Sequence, residues 1–99
     1  MNVLEIDAIA DRLSVVTQQS LKIYAVKVDD VIQNNLKNEQ DIERILDGLL
    51  DICFDDEALV LFKRMCRYYL SINPHATRDY INYYRDMYEE DGYLESINE

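Results

Sequence analysis

Cys53, Cys66 and His75 are the side chains whose types could ligate a soft metal or serve as nucleophile and base. A zinc site is normally announced by a close pair such as Cys-x-x-Cys or His-x-x-x-His, which presents two ligands from one turn, and neither pattern occurs here. Nucleophilic catalysis needs a nucleophile held by a base and the base held by a third group. His75 is the single histidine and is placed on the first turn of a helix, facing solvent. Carboxylates are abundant, 20 against 10 basic residues, but number alone does not make an acid–base pair. The run from Asp47 to Glu57 lacks the alternating oxygen ligands and central glycine of a calcium loop. Gly48 and Gly92 stand alone, so no glycine-rich phosphate loop exists. The expectation is a non-enzyme with no catalytic residue, no metal ligand and no cofactor.

Charge carries more information than reactive groups do. The formal charge is −10, and it is unevenly divided. Residues 1–62 hold 13 acidic and five basic side chains; residues 63–88 hold Lys63, Arg64, Arg67, Arg78 and Arg85 against Asp79 and Asp86; residues 89–99 add five acids and no base. Within the acidic part, Glu39, Glu43, Asp47, Asp51 and Asp55 recur every fourth residue. Like charges at that spacing on a helix repel, each pair costing about 0.2–0.5 kcal/mol. Glu39 suits a helix N-terminus and Asp55 caps the following helix, which leaves Glu43, Asp47 and Asp51 as a row without a local reason. Together with Asp7 and Asp11 they form the expected partner-binding face, directed at a larger protein with a basic surface. In its sharpest form the expectation is an inhibitor that fills a basic nucleic-acid-binding groove, in the manner of DNA mimics that antagonise restriction or CRISPR systems. The plain alternative is a solvated face that keeps a small protein soluble.

The basic stretch has a second reading. Tyr68, Tyr69, Tyr80, Tyr83, Tyr84 and Tyr88 are interleaved with its arginines. Helical projection turns Tyr69, Tyr80, Tyr84 and Tyr88 to the core and Tyr83 away, while Arg78, Asn82 and Arg85 share another side; Arg78, Asn82, Tyr83 and Arg85 are the alternative binding edge. The run Leu70-Ser71-Ile72-Asn73-Pro74-His75-Ala76-Thr77-Arg78-Asp79-Tyr80-Ile81 resembles the turn and second helix of a helix-turn-helix, which implies a DNA-binding regulator reading the major groove with helix 4. Ser71 stands where the turn glycine is common, and Arg67 occupies the usual small position of the preceding helix. A charge of −10 opposes duplex binding, because affinity comes largely from neutralising phosphates. Direct nucleic-acid binding is therefore not expected. A third reading is a structural homo-oligomer: a homodimer would bury the second half of a long first helix and an apolar edge at Leu61 and Tyr68.

These side chains must be positioned by helices. Two glycines and one proline are too few for the tight turns of a β-sandwich or barrel. Over residues 3–36, Ile6, Ile9, Ala10, Leu13, Val16, Leu21, Tyr24, Val28 and Ile32 recur at helical spacing, with a weak patch at Thr17–Ser20 where a break or kink is expected, the alternative being one long helix. Leu21 to Val28 is also rich in β-branched residues, but a lone strand would leave its backbone unpaired. Asn38 caps the second helix, with Ile42, Ile45, Leu46, Leu49, Leu50 and Cys53 inward. Asp55 caps the third, whose apolar positions Leu59, Phe62, Met65, Cys66, Tyr69 and Leu70, widened by Leu61 and Tyr68, suit the centre of a bundle. Asn73-Pro74 opens the fourth, with Tyr80, Ile81, Tyr84, Met87 and Tyr88 inward and Gly92 as its stop. The acidic tail 91–99 carries Tyr93, Leu94 and Ile97, able to fold back. The expected fold is all-α, a compact four- to five-helix bundle in a single domain over residues 1–99. No stretch reaches the roughly 20 apolar residues of a membrane span, and Glu5, Asp7 and Asp11 stand where a signal peptide has positive charge, so a cytoplasmic protein with Cys53 and Cys66 as buried free thiols is expected.

Overall fold

The computed structural model describes the backbone of residues 3–89 and the side chains of residues 14–89. Among the described residues the chain forms four helices and no strand: α1 (Val3–Gln33), α2 (Glu39–Asp51), α3 (Asp56–Leu70) and α4 (Pro74–Tyr88). The caps are those the sequence indicates. Asn38 accepts from the Asp41 amide at 3.0 Å, and Asp55 from the amides of Glu57 and Ala58 at 2.8 and 3.2 Å. Asn73 accepts from Ala76 at 3.0 Å while Pro74 occupies the first turn, where its missing N–H costs nothing. The Gly92 stop lies outside the described residues, and α4 ends at Tyr88.

The break expected at Thr17–Ser20 does not occur. The helix α1 runs unbroken for 31 residues, about 46 Å at 1.5 Å per residue. The weak patch disappears once the phase of its stripe is corrected: Thr17, not Val16, faces the core, followed at helical spacing by Leu21, Tyr24, Val28 and Val31. Val16 is exposed, as are Val15, Ile23 and Val26. The helix ends three residues earlier than its apolar pattern suggested because Asn35 takes the left-handed conformation, φ 53°. Its amide then bonds the Ile32 carbonyl at 3.3 Å and the Leu36 amide bonds that of Val31 at 3.0 Å, closing the last turn by the paired bonds of a Schellman motif.

As its wide apolar surface implied, α3 packs against each of the other three helices, and α1 also packs against α2. The core holds Val28 of α1, Ile42, Leu46 and Leu49 of α2, and Met65 and Tyr69 of α3, all essentially solvent-free. Leu70, Ile81 and Met87, expected inside, are exposed. The edge named for a dimer is not spare: Leu61 is buried, and Tyr68 packs on the core and donates its hydroxyl to the Leu36 carbonyl at 2.7 Å. Gly48, which has no role on a polar helix face by sequence alone, lies under the tip of Tyr24; a Cβ there would fall 1.8 Å from the Tyr24 hydroxyl oxygen. The glycine lets α1 approach α2 at this point.

Candidate functional site

The acidic row begins at the N-terminus of α2 and runs along one flank of that helix, with Glu43 its half-buried member. Glu39 receives the Asn73 side-chain amide at 2.7 Å and the Tyr69 hydroxyl at 3.0 Å. Glu43 receives the same Tyr69 hydroxyl at 2.5 Å, so it is the principal acceptor of that single proton. One turn on, Tyr80 donates to Asp47 at 2.7 Å, and beyond it Tyr88 donates to the Leu50 carbonyl at 2.5 Å. The row therefore has an internal cause. Tyrosines from α3 and α4 bring buried hydroxyls to the flank of α2, and a phenol removed from water needs an acceptor. The carboxylates supply it through charge-assisted hydrogen bonds, each contributing about 1.5–3 kcal/mol, more than the repulsion between neighbours on the helix costs. No buried side-chain nitrogen or oxygen among the described residues lacks a partner.

Burial and these acceptors raise the tyrosine pKa values. For Tyr69 desolvation is the larger cause, followed by its bonds to Glu43 and Glu39; for Tyr80 desolvation again leads, followed by the bond to Asp47. Both rise from an ordinary value of 10.0. Burial likewise pushes the Cys53 and Cys66 thiols from 9.0 up to about 12, with Cys66 also raising Cys53. A group held protonated above its unfolded value stabilises the fold fully below that value and ceases to do so as pH climbs through the folded one. Stability should thus begin to fall above about pH 9, where unfolded thiols ionise, and more steeply above about pH 10, where unfolded phenols do. In an alkaline titration, part of the tyrosinate absorbance should appear only together with loss of far-ultraviolet helicity. Ionisation of all eight tyrosines near pH 10 with helicity intact would contradict this.

The expected site residues are distributed as follows. Glu43, half-buried, and Asp47, exposed, both serve as tyrosine acceptors. Asp51 is exposed in the last turn of α2. Asp7 and Asp11 belong to α1, and their side chains lie outside the described residues. Of the alternative edge, Arg78 and Asn82 are exposed on α4. Arg85 pairs with Glu89 at 3.8 Å and lines a groove against α3. Tyr83 turns the other way: its ring meets Tyr80 edge-on with centroids 5.6 Å apart, beside the Asp47 bond. The four residues thus do not form one edge. Met87, one turn after Tyr83, is exposed on the same flank, so this side of α4 adds an aromatic ring and a thioether to the carboxylates of α2. Sequence projection marked Tyr83 as a contact but turned Met87 to the core, because the packing that sets which side of α4 is covered involves residues distant in sequence. Arg64 is engaged elsewhere, bonding Asp29 of α1 at 2.9 Å.

Cys53 and Cys66 are buried free thiols. His75 is exposed, 3.8 Å from Asp79, and no cluster of three or more His, Cys, Asp or Glu able to hold a metal occurs among the described residues. No helix among them is long and apolar enough to cross a membrane. The chain matches no known protein family, no curated protein and no solved structure.

Proposed function

We propose that this protein is a non-enzymatic binding module that docks on a basic surface of a larger protein through the flank shared by α2 and α4. The observation that carries the reading is the tethering of the acidic row: Glu43 and Asp47 are held by tyrosine hydroxyls, so their negative charge is preorganised, and Asp51 continues the row into solvent. Fixed side chains lose less entropy on binding than free ones. Exposed Tyr83 and Met87 beside the row supply the apolar contacts that charge alone lacks, and tyrosine and methionine are enriched in interface cores. A net charge of −10 would steer such a module toward a cationic groove. The specific form of the proposal is inhibition of a nucleic-acid-handling enzyme by occupation of that groove.

The test must spare Glu43 and Asp47, because reversing them would disturb packing and binding together. The variant Asp51→Lys/Tyr83→Ala changes two exposed residues that anchor no other helix. Wild type and variant serve as baits from the source cell, and the affinity of the enriched partner is then measured. The double variant should bind at least about tenfold more weakly with unchanged helicity, and duplex DNA should displace the wild type from its partner. Equal affinity of the two baits would sink the proposal. Adding Asp7→Lys/Asp11→Lys shows whether α1 extends the face. A gel shift of wild type on duplex DNA at low salt, lost in Arg78→Ala, would replace this reading with the helix 4 one.

A further inference from the structure

The opposite flank of α4 carries the reverse charge. Between α3 and α4 lies an open groove of about 460 Å³ whose floor includes Phe62, Cys66, Ile81 and Tyr84 and whose rim carries Lys63, Arg67 and Arg85. The rings of Phe62 and Tyr84, with centroids 5.8 Å apart, join its two walls. Leu70 and Ile81 line it and are exposed, apolar surface that no described element covers. Arg67 stands in the last turn of α3, where the helix dipole favours a cation. Lys63 stands one turn before it, a spacing at which like charges repel. The acidic row of α2 offsets its own repulsion with tyrosine hydroxyls, but this cationic pair has no such partner. Neither residue forms an ion pair among the described residues, and Arg85 has only Glu89, at 3.8 Å.

We propose that this groove is the docking site for an acidic amphipathic helix of a partner protein. Its shape is that of a missing helix. Lining residues run from Leu59 to Leu70 on α3 and from Thr77 to Glu89 on α4, so the trough follows both helices for about 16 Å at 1.5 Å per residue. Two packed helices leave such a trough where a third would lie. The described residues contain no strand, so no sheet edge is offered to the backbone of an extended peptide. A helix satisfies its own backbone and presents only side chains. Apolar residues at i, i+3, i+4 and i+7 of the occupant cover the floor, while carboxylates on its flanks meet Lys63 and Arg67 on one rim and Arg85 on the other. A nucleic-acid strand would answer the cations but has no apolar stripe for Phe62, Leu70 and Ile81. The charge of −10 does not forbid an acidic occupant. The carboxylates of α2 border the other flank of α4, and exposed charges farther off than about 8 Å are largely screened at physiological salt. With opposite chemistry on its two faces, the module would join a basic surface to an acidic helix.

The probe is a phage-displayed library of randomised peptides of about 14 residues, four helical turns, selected on the full chain and counter-selected on Lys63→Glu/Arg67→Glu. The recovered peptides should carry apolar residues at helical spacing with Asp or Glu between them. The most enriched one, synthesised with fluorescein, should gain helicity on binding and lose at least about tenfold in affinity against Lys63→Glu/Arg67→Glu, read by fluorescence anisotropy. The same peptide with its acids changed to lysine should prefer that variant over wild type, which also shows that the variant is folded. Recovery of no peptide, or of peptides that are basic or lack the spacing, would overturn the proposal, as would equal affinity for wild type and groove variant. Displacement of the peptide by a single-stranded oligonucleotide would assign the groove to nucleic acid and overturn it. Self-association in sedimentation that the groove variant abolishes would assign it to a second copy, with the same consequence. Asp51→Lys/Tyr83→Ala should leave peptide affinity unchanged, so the groove stands or falls separately from the α2 face.

Discussion

Tyr69→Ala should lower the stability of the protein by about 3–5 kcal/mol, and Tyr69→Phe by about 1.5–3 kcal/mol. The first figure is the cost of emptying the site of a large, fully buried ring in the central helix. Set against the roughly 5–15 kcal/mol that holds a domain together, it leaves the fold marginal. The second isolates the hydroxyl. Phenylalanine fills the same volume but withdraws the proton shared by Glu43 and Glu39, leaving two carboxylates side by side with only the Asn73 amide to offset their repulsion. Urea denaturation of the three proteins gives both differences. If Tyr69→Phe matches wild type, the hydroxyl bonds contribute nothing net, and the preorganised acidic row loses its basis.

Val28→Ala should cost about 2–3 kcal/mol, whereas Val26→Ala should change stability by less than about 0.5 kcal/mol. The two residues are chemically identical and two positions apart. On a strand they would share one face; on a helix they stand about 200° apart. Val28 is completely buried and Val26 is 68% exposed. At the exposed position alanine also gains helix propensity, which offsets part of the lost apolar contact. Similar costs at the two sites would mean that the β-branched run Leu21–Val28 does not pack as helix. The same measurement fixes the phase of α1.

That phase is where local pattern failed. The helices α2, α3 and α4 were legible because each begins with a residue whose side chain caps it within three positions, and because their apolar stripes are dense enough to define a face. The central place of α3 followed from the width of its stripe. In α1 a polar residue, Thr17, takes a core position while Val15 and Val16 face water, so ranking residues by hydrophobicity rotates the stripe and invents a break. The acidic row was visible as a repeat, yet its cause was not. The tyrosines that explain it are 26 or more residues away, and a count of like charges includes their repulsion but not the donors that offset it. Gly48 is similar: its reason is a ring on α1.

The tyrosine hydroxyl bonds also bear on the order of folding. They join residues separated by 26 to 38 positions, whereas helix formation requires only neighbours four apart. Closing the longer loops costs entropy before any contact repays it, so the bonds from Tyr80 and Tyr88 to α2 belong to the native side of the transition state. Loosening them should hasten unfolding and leave the folding rate nearly unchanged. The seam that orders the acidic flank therefore acts as a latch on the lifetime of the folded chain.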